Sequence, residues 1–498
     1  MKRFCLTVQI AAVLLWTHAA AAAPAGALRI GTANFPENYG NPFNSVSVTY
    51  GTTYSALFDA LTFLTNDGEL LPWLALSWTQ EAPTKWVIKL RPNVVFSNGE
   101  PFTSEAVTTA VAYIKSDVGQ RDAVSRELRG IVRATARDAL TVEIETAGPD
   151  VQLPRELSLL RMPAPGAWKK LGVAGFIKEP VGTGPYKLAR RTPTIVTFAA
   201  VPTSWRKAPA PTLELTVAID PAARRAALQT NRLDIVNTAV APEEIPDVEA
   251  LGGSVFSDKL PSSVAIALNN VKPGPLQDKR VRQALNYAVN KDAISTVMWA
   301  GRTSVASQMG PPSVFGFNKD VKPYPYDPAK AKARLKEAGY EKGFQFVFEG
   351  VVGTVIQSDV FQQVANDLAK VGVTMEIQMV PNAKFIESQM TGIWRGTAAA
   401  LPYFSPTYDA LYAMSSQVCT SPAPWFCDKD LAAAVEAARN ATDLNARRTL
   451  TEKVMALSHD TALGIFLYDT VTFVGLGPRV KKFRQDAGFI RYEDIVIE

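Results

Sequence analysis

An α/β fold of more than one domain is predicted by three features of the sequence. The chain has 498 residues, well beyond the ~100–200 that a single hydrophobic core usually serves. Short apolar runs rich in β-branched residues alternate along it with helical patterns of period 3.6. One block, Leu268–Ile294, shows the unit most plainly. Ser263–Leu268 reads as a short buried strand, and Asn269-Asn270 with Pro273-Gly274-Pro275 breaks it. Asp278 then caps a helix whose Val281, Ala284, Leu285 and Ala288 form one apolar stripe, while Arg280, Arg282, Gln283 and Asn286 lie off it.

The first 23 residues read as a secretory signal peptide. Lys2 and Arg3 precede an apolar Ile10–Trp16, and the small residues Ala19–Ala23 follow, with cleavage expected near Ala22. The apolar part is too short for a membrane anchor, and no Cys follows it to take a lipid. The mature protein is therefore expected to be exported without a lipid anchor. Removing Lys2 and Arg3 leaves 50 basic against 47 acidic side chains, a net charge of +3. That balance argues against nucleic acid or an anionic membrane as partner. Cys5 belongs to the signal, so Cys419 and Cys427 remain, and an isolated pair this close in an oxidising compartment reads as a disulfide.

Taken in order, Leu28–Ala33 is a first strand, followed by the Asn-, Pro- and Tyr-containing loop Asn34–Phe43. Gly51–Leu61 reads as a helix with Tyr54, Leu57, Phe58 and Leu61 on one face, and Asp67-Gly68 as a turn into Pro72–Ala75. Trp86–Arg91 alternates as a strand that Pro92 ends, Phe96–Gly99 carries a hairpin signal, and Thr103–Glu105 caps a helix to Ile114. In Leu140–Thr146 the pair Glu143 and Glu145 opposes Val142 and Ile144, the pattern of a solvated strand face rather than an acid–base pair. Pro180–Lys187 is glycine-rich but has neither Gly-Lys-Ser/Thr nor G-x-G-x-x-G, so it is no nucleotide cradle. Helices are expected at Asp220–Gln229, from Asp327-Pro328 to Ala338-Gly339, and at Gln357–Val371, Lys384–Trp394, Leu431–Ala438 and Arg447–Ala462. Strands are expected at Val373–Met379, Ile465–Leu467 and Val471–Leu476.

In their order and spacing these pieces resemble the oligopeptide/dipeptide/nickel (family 5) periplasmic solute-binding proteins of ABC importers. The resemblance rests on Phe58-Asp59, Asp67-Gly68, Pro72–Ala75, Lys89–Pro92, Phe96–Gly99, Glu105, the Gly182-Thr183-Gly184-Pro185-Tyr186 turn, Leu233-Asp234 and Ala338-Gly339-Tyr340. It covers nearly the whole mature chain and implies a type II bilobal periplasmic-binding-protein fold with an extra domain inserted in the first lobe. The implied division is a first lobe of residues 24–46, 175–265 and 478–498, an insertion of 47–174 and a second lobe of 266–477. Leu268–Ile294 resembles the point where the family's chain crosses between lobes, which makes Asn269 and Asn270 the expected hinge. The family captures a solute between two closing lobes and hands it to an inner-membrane ABC permease, so a periplasmic monomer without a cofactor is expected.

Catalysis finds little footing. Only His459 remains after the signal, no G-x-S-x-G elbow is present, and multi-His metal sites cannot be written. A binding function fits better, with a ligand sensor or a chaperone-like holder as the alternatives to transport. Trp394, Tyr403, Phe404, Tyr408 and Trp425 suit an apolar wall for an organic or peptide-like solute, with Arg395, Asp409 and the first-lobe residues Tyr39 and Asn41 as polar contacts. Peptide-binding relatives resemble one another in an aromatic residue and an Asp that takes the peptide's α-ammonium. Here those positions fall on Ala399 and Pro402, and Asp409 is out of register. The expectation is a solute not gripped through a free α-ammonium.

Overall fold

A computed structural model describes residues 26–498 except 37, 39, 219, 238–239, 353–354, 415–417 and 422, and the side chains of 355–357. The signal segment Met1–Ala23 and Tyr39 lie outside the described residues.

A ten-stranded mixed sheet runs through the molecule. From one edge its strands are Val373–Val380, Phe344–Val351, Ala398–Phe404, Ser254–Leu268, Gly464–Leu476, Ile235–Asn237, Ala27–Thr32, Thr212–Val217, Ile195–Ala200 and Tyr186–Arg191. Two long antiparallel strands carry the sheet from one half to the other. Ser254–Leu268 pairs with Gly464–Leu476, with register breaks between Lys259 and Ser263 and between Val264 and Ala265. On the near side of the first break Gly464–Leu476 is also bonded to Ile235–Asn237, and on the far side Ser254–Leu268 is bonded to Ala398–Phe404. The short strand expected at Ser263–Leu268 is thus the far part of a 15-residue strand, and the two expected late strands are one strand of 13 residues.

In the far half both faces of the sheet are covered. Val264, Ile266 and Leu268 enter one apolar cluster with the helical stripe Val281, Ala284, Leu285 and Ala288, while Ala265 and Ala267 enter another with Trp394, Tyr403 and Trp425. This period-2 split is what a doubly covered sheet requires. Asp278 caps the helix Lys279–Ala288 through a bond from Arg280 N, as expected. Arg282, off the stripe, is nevertheless buried at 4% exposure, because its guanidinium donates to the carbonyls of Leu276, Gln277 and Thr461 and stacks on Phe426.

The near half adds a four-stranded antiparallel sheet of Ala75–Ala82, Lys85–Leu90, Thr141–Thr146 and Ile131–Asp138, covered by the helix Ser104–Ile114. Glu143 and Glu145 sit on its outer face, paired with Arg137 and Lys85 and with Arg133, a solvated ion-pair ladder.

Three of the motifs that carried the resemblance, Phe58-Asp59, Pro72–Ala75 and Gly182–Tyr186, converge on Asp59, which is fully buried. Its carboxylate accepts from Trp73 Nε1 (2.9 Å), Thr183 Oγ1 (2.7 Å) and Trp205 Nε1 (3.0 Å) and pairs with Arg206 (2.9 Å). A buried charge is tolerable only when paired and hydrogen-bonded in this way. Gly182 and Gly184 press on the same place. A Cβ on either would lie 2.0 Å from Leu57 O or 2.4 Å from Ala56 O, so only glycine lets the two backbones meet. The helix expected over Gly51–Leu61 ends at Leu57 for the same reason. Phe58 is extended (φ −128°, ψ 152°), which turns Asp59 inward, and Thr62–Leu64 pairs as a strand with Leu70–Pro72. The helix expected over Lys384–Trp394 is Asn382–Thr391, stopped by Gly392 in a left-handed turn (φ 71°).

Candidate functional site: a cleft between two walls

A cleft of about 830 Å³ separates the near and far halves. Its far wall is Trp394, Leu401–Phe404, Thr407, Asp409, Leu411–Ala413, Ala423, Trp425, Arg439 and Arg447. Its near wall comes largely from the loops flanking the four-stranded sheet, including Glu127, Asp150, Gln152 and Glu156. A smaller neighbouring hollow of about 90 Å³ is shared by Phe404 and Tyr408 with Trp73, Arg161 and Phe489.

The aromatic far wall is a packed array. Trp394 stands edge-on to Phe385 (5.1 Å) and to Trp425 (4.8 Å), and Tyr403 lies against Phe466 (5.8 Å). These rings are fixed by the loop that follows the helix Asn382–Thr391 and by the strand Ala398–Phe404. Lys272 Nζ donates to the carbonyls of Trp394 and Gly396, holding that loop. A disulfide joins Cys419 to Cys427 around Trp425. A rigid ring array of this kind presents contact area at little entropic cost.

Asp409 is buried at 6% exposure and bonded to Arg447 Nη2 at 2.5 Å, while its other oxygen accepts from Leu411 N at 3.0 Å to cap a short helix. Glu127 of the opposite wall accepts from Tyr412 at 2.8 Å. Glu127, Asp150 and Glu156 are half-buried. Burial pushes all three carboxyls up, Glu156 well above the usual carboxylate range, with the neighbouring Asp150 and Asp409 adding repulsion. Such groups at the floor of a concavity can touch solvent and still be enclosed by protein.

Of the residues expected from sequence, the cleft gathers Trp394, Tyr403, Phe404, Asp409 and Trp425, and Tyr408 faces the smaller hollow. Two others stand elsewhere. The amide of Asn41 is spent on Tyr113 and Asp122, and Arg395 is exposed and outside the lining. Asn269 and Asn270 do not sit where the strands pass between halves. They lie past the far end of Ser254–Leu268, where Asn269 caps the turn at Val271 and Lys272 and Asn270 bonds to Cys427. The irregular stretch of the crossing strands is instead at Lys259–Ser263, because the strand that seemed to begin near Ser263 continues through both halves. Pro402 faces the cleft, whereas Ala399 is inside the core. Sequence reasoning missed Glu127, Asp150, Gln152, Glu156, Tyr412 and Arg447. The only hint was the Gly148-Pro149-Asp150 turn, which predicts a loop and nothing of what faces it.

No group of three or more His, Cys, Asp or Glu among the described residues could hold a metal ion, and no described helix is long and apolar enough to cross a membrane.

Residues 69–418 match the family model of bacterial extracellular solute-binding proteins, family 5, middle portion. The dipeptide-binding protein of Escherichia coli (strain K12) is 28% identical over 500 residues, covering 92% of each chain. The nickel-binding periplasmic protein of the same organism is 32% identical over 322 residues, 62% of this chain and 61% of that one. Among solved structures, NikA from Brucella suis in complex with Fe(III)-EDTA superposes with a TM-score of 0.84 at 23% identity, covering 95% of this chain and all of that one. HbpA2 from Haemophilus parasuis does so at 0.81 and 21%, with 95% and 100% coverage. With the bilobal sheet and its cleft, these matches identify the chain as a member of the family 5 bacterial extracellular solute-binding proteins, a family of substrate-binding proteins of ABC importers.

Proposed function

We propose that the cleft is the solute site and that its far wall, Trp394, Tyr403, Phe404 and Trp425 with Asp409, receives a small organic or peptide-like solute, with Tyr408 in the adjoining hollow. The observation that carries this is the aromatic array facing a cleft of about 830 Å³, a volume that suits a molecule of drug or short-peptide size. The solute would bridge both walls, and rotation would be absorbed in the two crossing strands near Lys259–Ser263 and Asp469–Val471, where the pairing is already irregular. On this reading the lobes divide at those positions, with residues 47–174 inserted in the first. The mature protein acts as a monomer, exported by its signal peptide without a lipid anchor, and presents its loaded form to the permease. Dipeptide, nickel and Fe(III)-EDTA binding among the named relatives supports the cleft as a versatile frame and leaves the choice of solute to the residues lining it.

The test is native mass spectrometry of protein purified from the periplasm without refolding, followed by calorimetry of whatever solute is retained. W394A and W425A are each expected to weaken binding on the order of 10- to 100-fold, as loss of a buried aromatic contact does. Retention of full affinity by both variants would remove the cleft as the site.

A further inference from the structure

Resting on the cleft as the solute site, we propose that the solute carries a protonated amine and that Asp150 and Glu156 hold it from the near wall. Four carboxylates line the cleft, those of Glu127, Asp150, Glu156 and Asp409. Two are already engaged, Asp409 by Arg447 and Glu127 by the hydroxyl of Tyr412. Asp150 accepts from backbone N–H groups, that of Gln152 at 2.9 Å, and no Lys or Arg among the described residues forms a direct ion pair with Asp150 or Glu156. The remaining arginines of the lining do not neutralise them. Arg126 and Arg129 are exposed at the mouth, and Arg439 is tied to Glu436. Arg447, whose charge reaches both acids, is bonded to Asp409, so one cation serves three carboxyls; the adjacent half-buried pair still repels, and an ammonium placed between them relieves both.

A second observation points to a ligand at the same place. The Gln152 amide, in the chain between the two acids, is 3% exposed, lines the cleft, and has no partner at either its oxygen or its nitrogen. Across the cleft, Trp425 Nε1 and the Tyr403 hydroxyl, each on a residue 4% exposed, also lack partners. Buried polar groups are rarely left unmatched, and three of them on residues lining one cavity fit the polar atoms of a solute. The upward push on Asp150 and Glu156 described above fits a pair awaiting a positive charge. The assignment reverses the expectation drawn from Pro402. The acid missing from the far wall is supplied from the near one.

The experiment is calorimetry of the full mature chain with trialanine, agmatine and cadaverine, beside N-acetyl-trialanine, glucose and succinate. At least one free amine is expected to bind, with N-acetylation or the D150N or E156Q change weakening it on the order of 100-fold, the scale of removing one partner of a buried charge pair. Melting curves of both variants guard against misfolding, since relief of repulsion should leave them at least as stable as the parent. Tighter binding of the neutral or anionic probes, or unchanged amine binding by the D150N/E156Q double variant, overturns the proposal. If no probe binds, the solute retained in natively purified protein decides, and one without a basic nitrogen overturns it. Non-cationic binding that is lost in W394A would keep the cleft as the site while removing the amine. A cleft that retains nothing and binds nothing removes both.

Discussion

The Tyr412 hydroxyl donates to Glu127 Oε1 at 2.8 Å, joining the far wall of the cleft to the near wall across 285 positions of sequence. Arg155 adds a second crossing. Its Nη2 donates to Gly68 O on its own half, and its guanidinium lies 5.6 Å from the Phe315 ring of the other. These contacts tie the halves to each other, so they weigh against the open form.

The Y412F variant removes one hydrogen bond to a half-buried carboxylate, worth about 1.5–3 kcal/mol. That changes the closed-to-open ratio on the order of 10- to 100-fold. Small-angle scattering of the solute-free variant should give a larger radius of gyration than the parent, with unchanged circular dichroism. Identical scattering curves would mean that the bond does not govern closure.

Asn270 and Cys427 exchange two hydrogen bonds, Asn270 Nδ2 to Cys427 O at 2.8 Å and Cys427 N to Asn270 Oδ1 at 2.7 Å. Together with the Cys419–Cys427 bridge they pin both ends of the loop that presents Trp425. On the loop-entropy account, the C419S/C427S double variant should lose about 2.5 kcal/mol of stability. N270A should lose about 1–2 kcal/mol, the worth of two partly exposed hydrogen bonds. Denaturant melts read both. Periplasmic protein alkylated without reductant should carry no label on either cysteine, and two labelled thiols would refute the bridge.

Asp469 lies on a crossing strand, accepts from Ser263 Oγ at 2.6 Å, and has its carboxyl pushed by burial up to about 6 from an ordinary 3.8, against the lowering effect of the serine. The folded state therefore binds this proton more tightly than the unfolded chain does. The stabilising contribution is complete below about pH 4 and is lost as pH rises through 6. Above that, ionisation costs about 3 kcal/mol. D469N keeps an acceptor for Ser263 and cannot ionise. It should raise the melting temperature at pH 7.5 and leave it unchanged at pH 4. An equal shift at both pH values would show that the charge is not responsible.

Much of the architecture was written locally. The stripe Val281, Ala284, Leu285 and Ala288, the caps Asp278 and Thr103, the helix start at Asp327-Pro328, and the alternation of Val142 and Ile144 against Glu143 and Glu145 each follow from a period of 3.6 or 2 and a few rules for helix ends, and all stand in the structure. The cysteine pair and the aromatic set around Trp394 and Trp425 were legible too, because their residue types have few other uses outside a helical stripe. What a residue faces across a gap leaves no local trace. The pairing that fuses Ile465–Leu467 and Val471–Leu476 into one strand, the inward turn of Asp59 and the placement of Asp150 and Glu156 opposite Asp409 depend on segments hundreds of positions apart. Sequence alone determined most of the helices and their caps, the family and the clustering of the aromatic residues. Tertiary structure decided where the strands cross and which charges meet in the cleft, because both arise only when distant chain segments exclude water from one another.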